Sequence, residues 1–519
     1  AILYNLKKRH CDGKPYSRVG DIVVAVNPYQ RLGDLYTDKV RMHYAQKIVW
    51  EQNDRDARVG LPPHLYDVSS LCYKGLAVER QNQSILVTGI SGAGKTETVK
   101  ICMDHIATIQ QDPNDKSSDK SMVVKRILES NRVLEAFGNA KTRHNDNASR
   151  FGKYVMLQFH HIDVKKPGDR PRSALAGSTC EVYLLEKSRV VFHDDAERTY
   201  HAFYQLLSAP DDKKAEIWQG LKGTTNESFA YVGTAPHGLI DGKDDSAHFI
   251  DTNAALELVG ISGEKCLTLW RAIAACLQLG NLTFARKSGN KEETMITSTK
   301  EFKGLVELMG WDNLVAEKAF TEVTMRTMRE DTFTVPLPFR RAKENVDAFA
   351  KEIYAKTFLW LVRNINDATC AENNYPGGAS INYGLIGLLD IFGFESFPVN
   401  GFEQLCINYC NEKLQQKLNS DIFGNLQERY QAEGLNLDDI KYDDNLDVLE
   451  LIEGKLGIIN QLNAQGAYIR GNDQAFVSKA LQSNTAAPCL IQNTFDKLEF
   501  GIHHYAGVVI YKAHNFVVR

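Results

Sequence analysis

Gly89-Ile90-Ser91-Gly92-Ala93-Gly94-Lys95-Thr96-Glu97 follows directly on the apolar run Ser84-Ile85-Leu86-Val87-Thr88. The spacing is that of a phosphate-binding loop, G-x-x-x-x-G-K-[ST], in the strand–loop–helix setting the pattern needs. Glycines let the backbone curl so that successive N–H groups face a phosphate chain. Lys95 is placed to reach the β- and γ-phosphates, and the Thr96 hydroxyl to ligate Mg2+. A Gly-rich turn that binds nothing is the rival reading, and the flanking strand and helix argue against it. The pattern predicts a nucleoside triphosphate site. The loop alone does not say what that binding is for.

The 519 residues make about three domains' worth of chain. Hydrophobic residues at 43% and charged residues at 24% are ordinary for a soluble globular protein. A net charge of −4 argues against bulk-charge binding of nucleic acid and leaves room for a local basic surface. Ten cysteines without a C-x-x-C pair suggest reduced thiols in a cytosolic protein. Cys406 and Cys410, four apart on an expected helix, read as core packing rather than a metal site. No apolar run approaches the roughly 18 residues of a membrane span.

Along the chain, residues 21–28 read as a buried strand stopped by Pro28, and a helix is expected from Pro62-Pro63 towards residue 81. The helix after the phosphate loop should run over 95–110 into a polar loop. Tyr154–Phe159 and Cys180–Leu185 read as a hairpin with a Pro/Gly/Lys-rich excursion at 163–178. Adjacent His160 and His161 should point to opposite faces of a strand. Helical periodicity dominates from 196 to 370, with Phe349, Ile353, Phe358, Leu361 and Ile365 on one face. Tyr383–Asp390 suits a central strand ending in a carboxylate, and a very long helix follows from Phe402 to Ala432. The fold expected is α/β: a P-loop NTPase core with a central, mostly parallel twisted sheet and large helical insertions.

Two further segments carry phosphate-sensing chemistry. Asn145-Asp146-Asn147-Ala148-Ser149-Arg150-Phe151-Gly152-Lys153 is a polar run feeding a strand, and Asp390-Ile391-Phe392-Gly393-Phe394-Glu395 ends one. A triphosphatase needs a second hydroxyl on Mg2+, a group sensing the γ-phosphate, and a hold on the attacking water. Ser149 supplies the hydroxyl. The Gly393 N–H can approach a γ-phosphate oxygen closely because glycine has no side chain. Arg150 and Glu395 have complementary charge and are suited to lock the site as a bidentate pair.

These residues resemble the myosin motor domain. The resemblance rests on the Ser-Gly-Ala-Gly-Lys-Thr-Glu ending of the phosphate loop, a switch I run Asn-x-Asn-x-Ser-Arg-Phe-Gly-Lys, and a switch II run Asp-Ile-Phe-Gly-Phe-Glu as in many unconventional myosins. Asn27-Pro28-Tyr29 is similar to the family's purine loop, and Asn131–Lys141, Tyr183–Val190 and Phe402–Gln416 match as well, the last as the start of a relay helix. The resemblance implies an actin-activated ATPase whose substrate is ATP with Mg2+. It places Asn27, Pro28, Tyr29, the loop Gly89–Glu97, Asn145 and Asn147 on the nucleotide, and Thr96, Ser149 and Asp390 on the metal, Asp390 through water. It makes Ser91, Lys95, Ser149, Arg150, Gly393 and Glu395 the catalytic set, and Asp331 an acidic actin-loop residue. Its implied divisions are a nucleotide core over 1–195, a helical upper actin-cleft subdomain over 196–382, and switch II, relay helix and lower cleft over 383–519. Filamentous actin is the implied partner, at the cytoplasmic actin cytoskeleton. Light chains or calmodulin would join only through a lever expected beyond Arg519, so the chain is expected to be an incomplete head.

The chain also departs from the family pattern. Ala148 stands where a second switch I serine is usual, Ile90 replaces a glutamate, and Gln30 replaces a basic residue, with the following Tyr36 one residue late. Asn463-Ala464-Gln465 occupies a segment that is often acidic. Losing one positioned donor such as the serine costs about 10²–10³ in rate. A non-hydrolysing, nucleotide-gated actin-binding module or a degenerate remnant therefore stands beside the motor reading, and a small-molecule P-loop kinase is the third.

Overall fold

The computed structural model describes residues 1–30, 32–51, 57–109, 122–162, 171–233, 238–287, 293–326, 332–375, 377–435, 444–468, 471–493 and 495–517. It divides into two compact units. One comprises Ala1–Val87 with Thr96–Ile391, the other Thr88–Lys95 with Phe392–Arg519.

The larger unit is organised by a four-stranded sheet in the order Gln83–Val87, Gly384–Asp390, Gly152–Ile162, Arg172–Tyr183. Gly384–Asp390 runs parallel to Gln83–Val87 and antiparallel to Gly152–Ile162, which forms a hairpin with Arg172–Tyr183. The α/β expectation holds, but the sheet is mixed rather than mostly parallel among the described residues. The reason is local. Gly152–Ile162 and Arg172–Tyr183, joined by a short connection, must pair antiparallel, whereas Gly384–Asp390 follows a long connection that allows it to lie parallel to Gln83–Val87. The excursion expected over 163–178 is also shorter, because Arg172–Tyr183 is already strand.

Residues 21–28 do not make a buried strand. Ile22–Ala25 forms a two-stranded hairpin with Tyr16–Val19, and none of its four residues is buried. His160 and His161 diverge as expected: His161 Nδ1 meets Ser173 Oγ at 2.8 Å, while the His160 ring lies 5.5 Å from that of Tyr375.

Helices cover the sheet. Phe339–Thr369 runs without an internal Gly or Pro, and Ala342, Val346, Ala350, Tyr354, Phe358, Leu361 and Ile365 recur every three or four residues on its buried face. Phe349 stays at the edge of that face, where its ring meets Trp311 and Phe320. Leu157, Phe159, Ile386 and Leu388 of the sheet join Phe137, Trp270, Tyr354 and Phe358 in one core. No helix of the described residues is long and apolar enough to cross a membrane.

The smaller unit has its own core of Phe394, Leu405, Ile452, Phe476, Phe500, Tyr511 and Phe516. A three-stranded antiparallel sheet, Leu490–Gln492, Glu499–His504 and Gly507–Lys512, packs here. The expected long helix runs from Phe402 to Ala432, as Phe402–Asn419, a wider π-helical turn at Ser420–Gly424, and Asn425–Ala432. At its start the Gln404 side chain reaches back to accept from the Gly401 N–H, satisfying a donor that the helix itself cannot.

Candidate nucleotide site

In the larger unit, strand register aims the acid. Asp390 stands opposite Val87 on one side and Lys153 on the other. Asp390 Oδ1 accepts a hydrogen bond from Thr96 Oγ1 at 3.3 Å, and Oδ2 lies 3.5 Å from Lys153 Nζ. Oδ2 is buried and accepts no hydrogen bond. A buried carboxylate oxygen with a lone pair to spare, next to a threonine hydroxyl, suits the water shell of a hard divalent cation. Among the described residues no group of three His, Cys, Asp or Glu side chains could hold a metal by itself. Such a cation would therefore need hydroxyls, waters and phosphate to complete its shell.

The polar run 145–153 is pinned at several points. Ala148 and Ser149 pair with Asn139 and Ala140 as a short antiparallel ladder. Ser149 Oγ donates to Phe151 O at 2.8 Å, which leaves its lone pairs uncommitted by that bond. Asn147 N donates to Asn145 Oδ1 at 3.0 Å. Ala148 is only 2% exposed.

Arg150 is buried, and its Nε donates to Glu186 Oε2 at 2.6 Å. Arg189 bonds the same carboxylate at 2.7 Å. Burial alone would raise the Glu186 pKa, but Arg150 and Arg189 outweigh it and hold it at about 2. Sequence reasoning missed Glu186. It lies inside Tyr183–Val190, a segment noted only as matching, and nothing local pointed to an arginine 36 residues earlier.

At 27–29, Asn27 Oδ1 accepts from the Tyr29 N–H at 2.9 Å, closing a tight turn in which Tyr29 adopts a φ of 50°. The Tyr29 side chain is 84% exposed. Glu97, in the first turn of the helix Lys95–Ile109, is exposed.

In the smaller unit, the phosphate loop and the 392–395 segment are joined directly. Ile90 and Phe394 form a parallel bridge, and the Ser91 N–H donates to Phe394 O at 3.2 Å. Gly92 and Gly94 take φ values of 78° and 93°, the left-handed region that the loop's curl requires. Lys95 Nζ donates to Gly89 O at 2.9 Å and Ile90 O at 2.8 Å. The Ile90 side chain is 60% exposed and so does not fill the loop. A Cβ on Gly393 would lie 2.3 Å from Lys95 Nζ and 2.4 Å from Ser91 N, so only glycine fits.

From Glu395 a buried polar chain continues into the helix Phe402–Asn419. The Glu395 N–H donates to Asn408 Oδ1, and Asn408 Nδ2 donates to Tyr511 OH at 2.8 Å. Tyr511 OH meets His504 Nε2 at 2.8 Å, and His504 Nδ1 meets Glu412 Oε1 at 2.8 Å. Since Tyr511 oxygen already accepts from Asn408, its proton is available to His504 Nε2, and Nδ1–H then points at Glu412. Glu412 also accepts from the Tyr505 N–H and from Asn445 Nδ2. Asp331 lies outside the described residues.

A strand running into a glycine-rich phosphate loop, a helix leaving it, and a neighbouring strand ending in a carboxylate beside the threonine define an α/β protein with a P-loop NTPase core. A family model described as myosin head (motor domain) matches residues 1–519. The chain is 36% identical over 531 residues to Myosin-2B of Naumovozyma castellii, which covers all of this chain and 35% of that protein. It is 37% identical to Myosin-17 of Arabidopsis thaliana, over 99% of this chain and 32% of the relative. Against Myosin ID heavy chain of Dictyostelium discoideum the identity is again 37%, over all of this chain and 44% of the relative. The chain belongs to the myosin head (motor domain) family. It spans 32–44% of the length of these curated relatives.

Proposed function

We propose that the chain is an ATP-binding, Mg2+-dependent ATP-hydrolysing head that works on filamentous actin at the cytoplasmic actin cytoskeleton. The observation that carries this reading is the bridge between Ile90 and Phe394, with Gly393 packed against Lys95 and Ser91. A segment that touches the phosphate loop at this range senses what the loop holds. Through Asn408 the same segment is tied to the helix Phe402–Asn419, so a shift at Gly393 is passed to that helix.

In this reading Lys95 exchanges its loop carbonyls for phosphate oxygens, and the N–H groups of 89–96 cradle the phosphate chain. The residues that would hold Mg2+ are Thr96, Ser149 and, through water, Asp390; the ion neutralises charge on the phosphates. Gly393 N–H contacts the γ-phosphate, and the ion pair between Arg150 and Glu395 belongs to the same proposal. Glu186 holds Arg150 in place. Asn27, Pro28 and Tyr29 border the purine, and Asp331 is assigned to the actin contact. The division at 1–195, 196–382 and 383–519 belongs to this reading too, and light chains or calmodulin would join through a lever outside this chain.

A second reading, a nucleotide-gated actin-binding module that does not hydrolyse, is favoured by one observation: Ala148 brings no hydroxyl to the polar run. Rapid-quench measurement of the phosphate burst in the full-length protein, followed by steady-state turnover with and without filamentous actin, separates the two. A burst with actin stimulation supports the motor head. Nucleotide binding without a burst, restored by Ala148→Ser, supports the module. Failure to bind Mg·ATP overturns both.

A further inference from the structure

The side-chain amide of Asn147 is the meeting point of three segments. Its Oδ1 accepts from Asn139 Nδ2 at 2.9 Å and from His201 Nε2 at 3.2 Å, while its Nδ2 donates to Asp241 Oδ2 at 3.1 Å. A carboxylate only accepts, so Asp241 decides which end of the Asn147 amide is nitrogen. Oδ1 must then receive donors, and His201 carries its proton on Nε2.

His201 opens the helix His201–Leu207 and is 5% exposed. Its Nδ1 is buried without a hydrogen-bond partner. Burial first, then the charges of Arg198, His248 and Lys141, push its pKa down to about 3, so the ring is neutral at physiological pH. Asp241 is held for its task by a tight turn. Ile240 and Lys243 exchange backbone hydrogen bonds at 2.9 and 3.0 Å, and Asp241 takes a φ of 49°, uncommon outside glycine. Strain of this kind persists only where the surroundings over-determine it. Asn147, His201 and Asp241 line a cavity of about 350 Å³ beside Lys100, Gln205 and Asp245.

A histidine that merely filled core would need no polar contact with a loop. His201 instead spends its one N–H on a residue two positions before Ser149. We infer that His201, together with Asp241, is a positioning residue that holds Asn147 and so sets where the run Asn145–Ser149 stands to meet nucleotide. The nucleotide part of this inference rests on the function proposed above; the clamp itself does not.

The test uses the full-length protein with His201→Leu, which keeps bulk and removes the donor, and His201→Gln, which restores an N–H. Backbone hydrogen exchange without nucleotide should be about fivefold faster over 145–149 in the leucine variant, the worth of one hydrogen bond. The glutamine variant should return to within twofold of wild type, and the helix 201–207 should keep its protection in both. Release of a fluorescent ADP analogue should speed up about fivefold with leucine and stay near wild type with glutamine. Asp241→Ala, on an exposed turn, should loosen 145–149 in the same direction even if His201→Leu fails to fold. Wild-type exchange at 145–149 in the leucine and Asp241→Ala variants, or equal loosening of 201–207 in both histidine variants, overturns the clamp. If wild type binds nucleotide but the leucine variant releases it at the wild-type rate, the link to nucleotide is overturned and the ATP reading stands. If wild type binds no nucleotide, the ATP reading fails and exchange alone decides the clamp.

Discussion

The backbone of Glu395 and the side chain of Asn408 hold each other by two hydrogen bonds, Glu395 N–H to Asn408 Oδ1 at 2.9 Å and Asn408 Nδ2 to Glu395 O at 2.8 Å. Asn408 is fully buried and also donates to Tyr511. Asn408→Ala strands the N–H and C=O of Glu395 and takes one of two partners from Tyr511 OH, and each buried unsatisfied group costs about 1–3 kcal/mol. Urea denaturation should show a loss of about 2–4 kcal/mol, against about 1 kcal/mol for Tyr511→Phe. Equal, small losses for the two variants would mean that the chain from Glu395 to Glu412 is not continuous.

Gly393→Ala forces a methyl group into the space between Lys95 Nζ and Ser91 N. The expected result is loss of the Ile90–Phe394 bridge and a fall in hydrolysis of about 10²-fold, the usual effect of displacing one positioned donor. Single-turnover hydrolysis, with ATP affinity measured beside it, checks this. Turnover within twofold of wild type would make the close packing incidental to chemistry.

Glu186 contributes stability that depends on pH. Its folded pKa of about 2 lies below the ordinary 4.5, so its contribution is complete above pH 4.5 and is lost as pH falls through about 2. The shift corresponds to about 3 kcal/mol. The stability difference between wild type and Glu186→Gln should be full at pH 5 and shrink steadily towards pH 2, read from urea midpoints. A difference that stays constant over that range contradicts the ion-pair account.

Asp390→Asn removes the charge that faces Lys153 and that, in the proposed function, supports a hydrated cation. Half-saturating Mg2+ for nucleotide binding should rise about tenfold, a typical consequence of losing an outer partner of a metal site. Unchanged Mg2+ dependence, with thermal stability lowered, would restrict Asp390 to pairing with Lys153.

Signals that are local were readable in the chain. The phosphate loop, its strand and its helix announce themselves within fifteen residues, and Asp390 stands out because a carboxylate ends a short apolar run. What escaped depends on partners outside the segment itself. Ile22–Ala25 has a core strand's composition, yet only a two-residue turn to a polar neighbour decides that it forms an exposed hairpin. Glu186 and His201 carry no motif, and their roles arise from Arg150 and Asn147, 36 and 54 residues away. In the helix expected from Phe402 to Ala432, the widening at Ser420–Gly424 falls at its one glycine, and the change of pitch there has no periodic signal of its own. The relay-like match at Phe402–Gln416 gave no warning that Asn408, His504, Tyr511 and Glu412 would join in one buried chain.

Gly384–Asp390 is paired along all seven residues with Gly152–Ile162, and over the five residues Ile386–Asp390 with Gln83–Val87. Successive side chains of a strand alternate between faces, so a slip of a single residue would turn Asp390 away from Thr96 and press side chains into the space against Tyr154 and His161 that only Gly387 and Gly384 leave open. The aim of the acid is thus tied to fidelity of folding: the packing that fixes the register of the central strand also fixes where its terminal carboxylate stands.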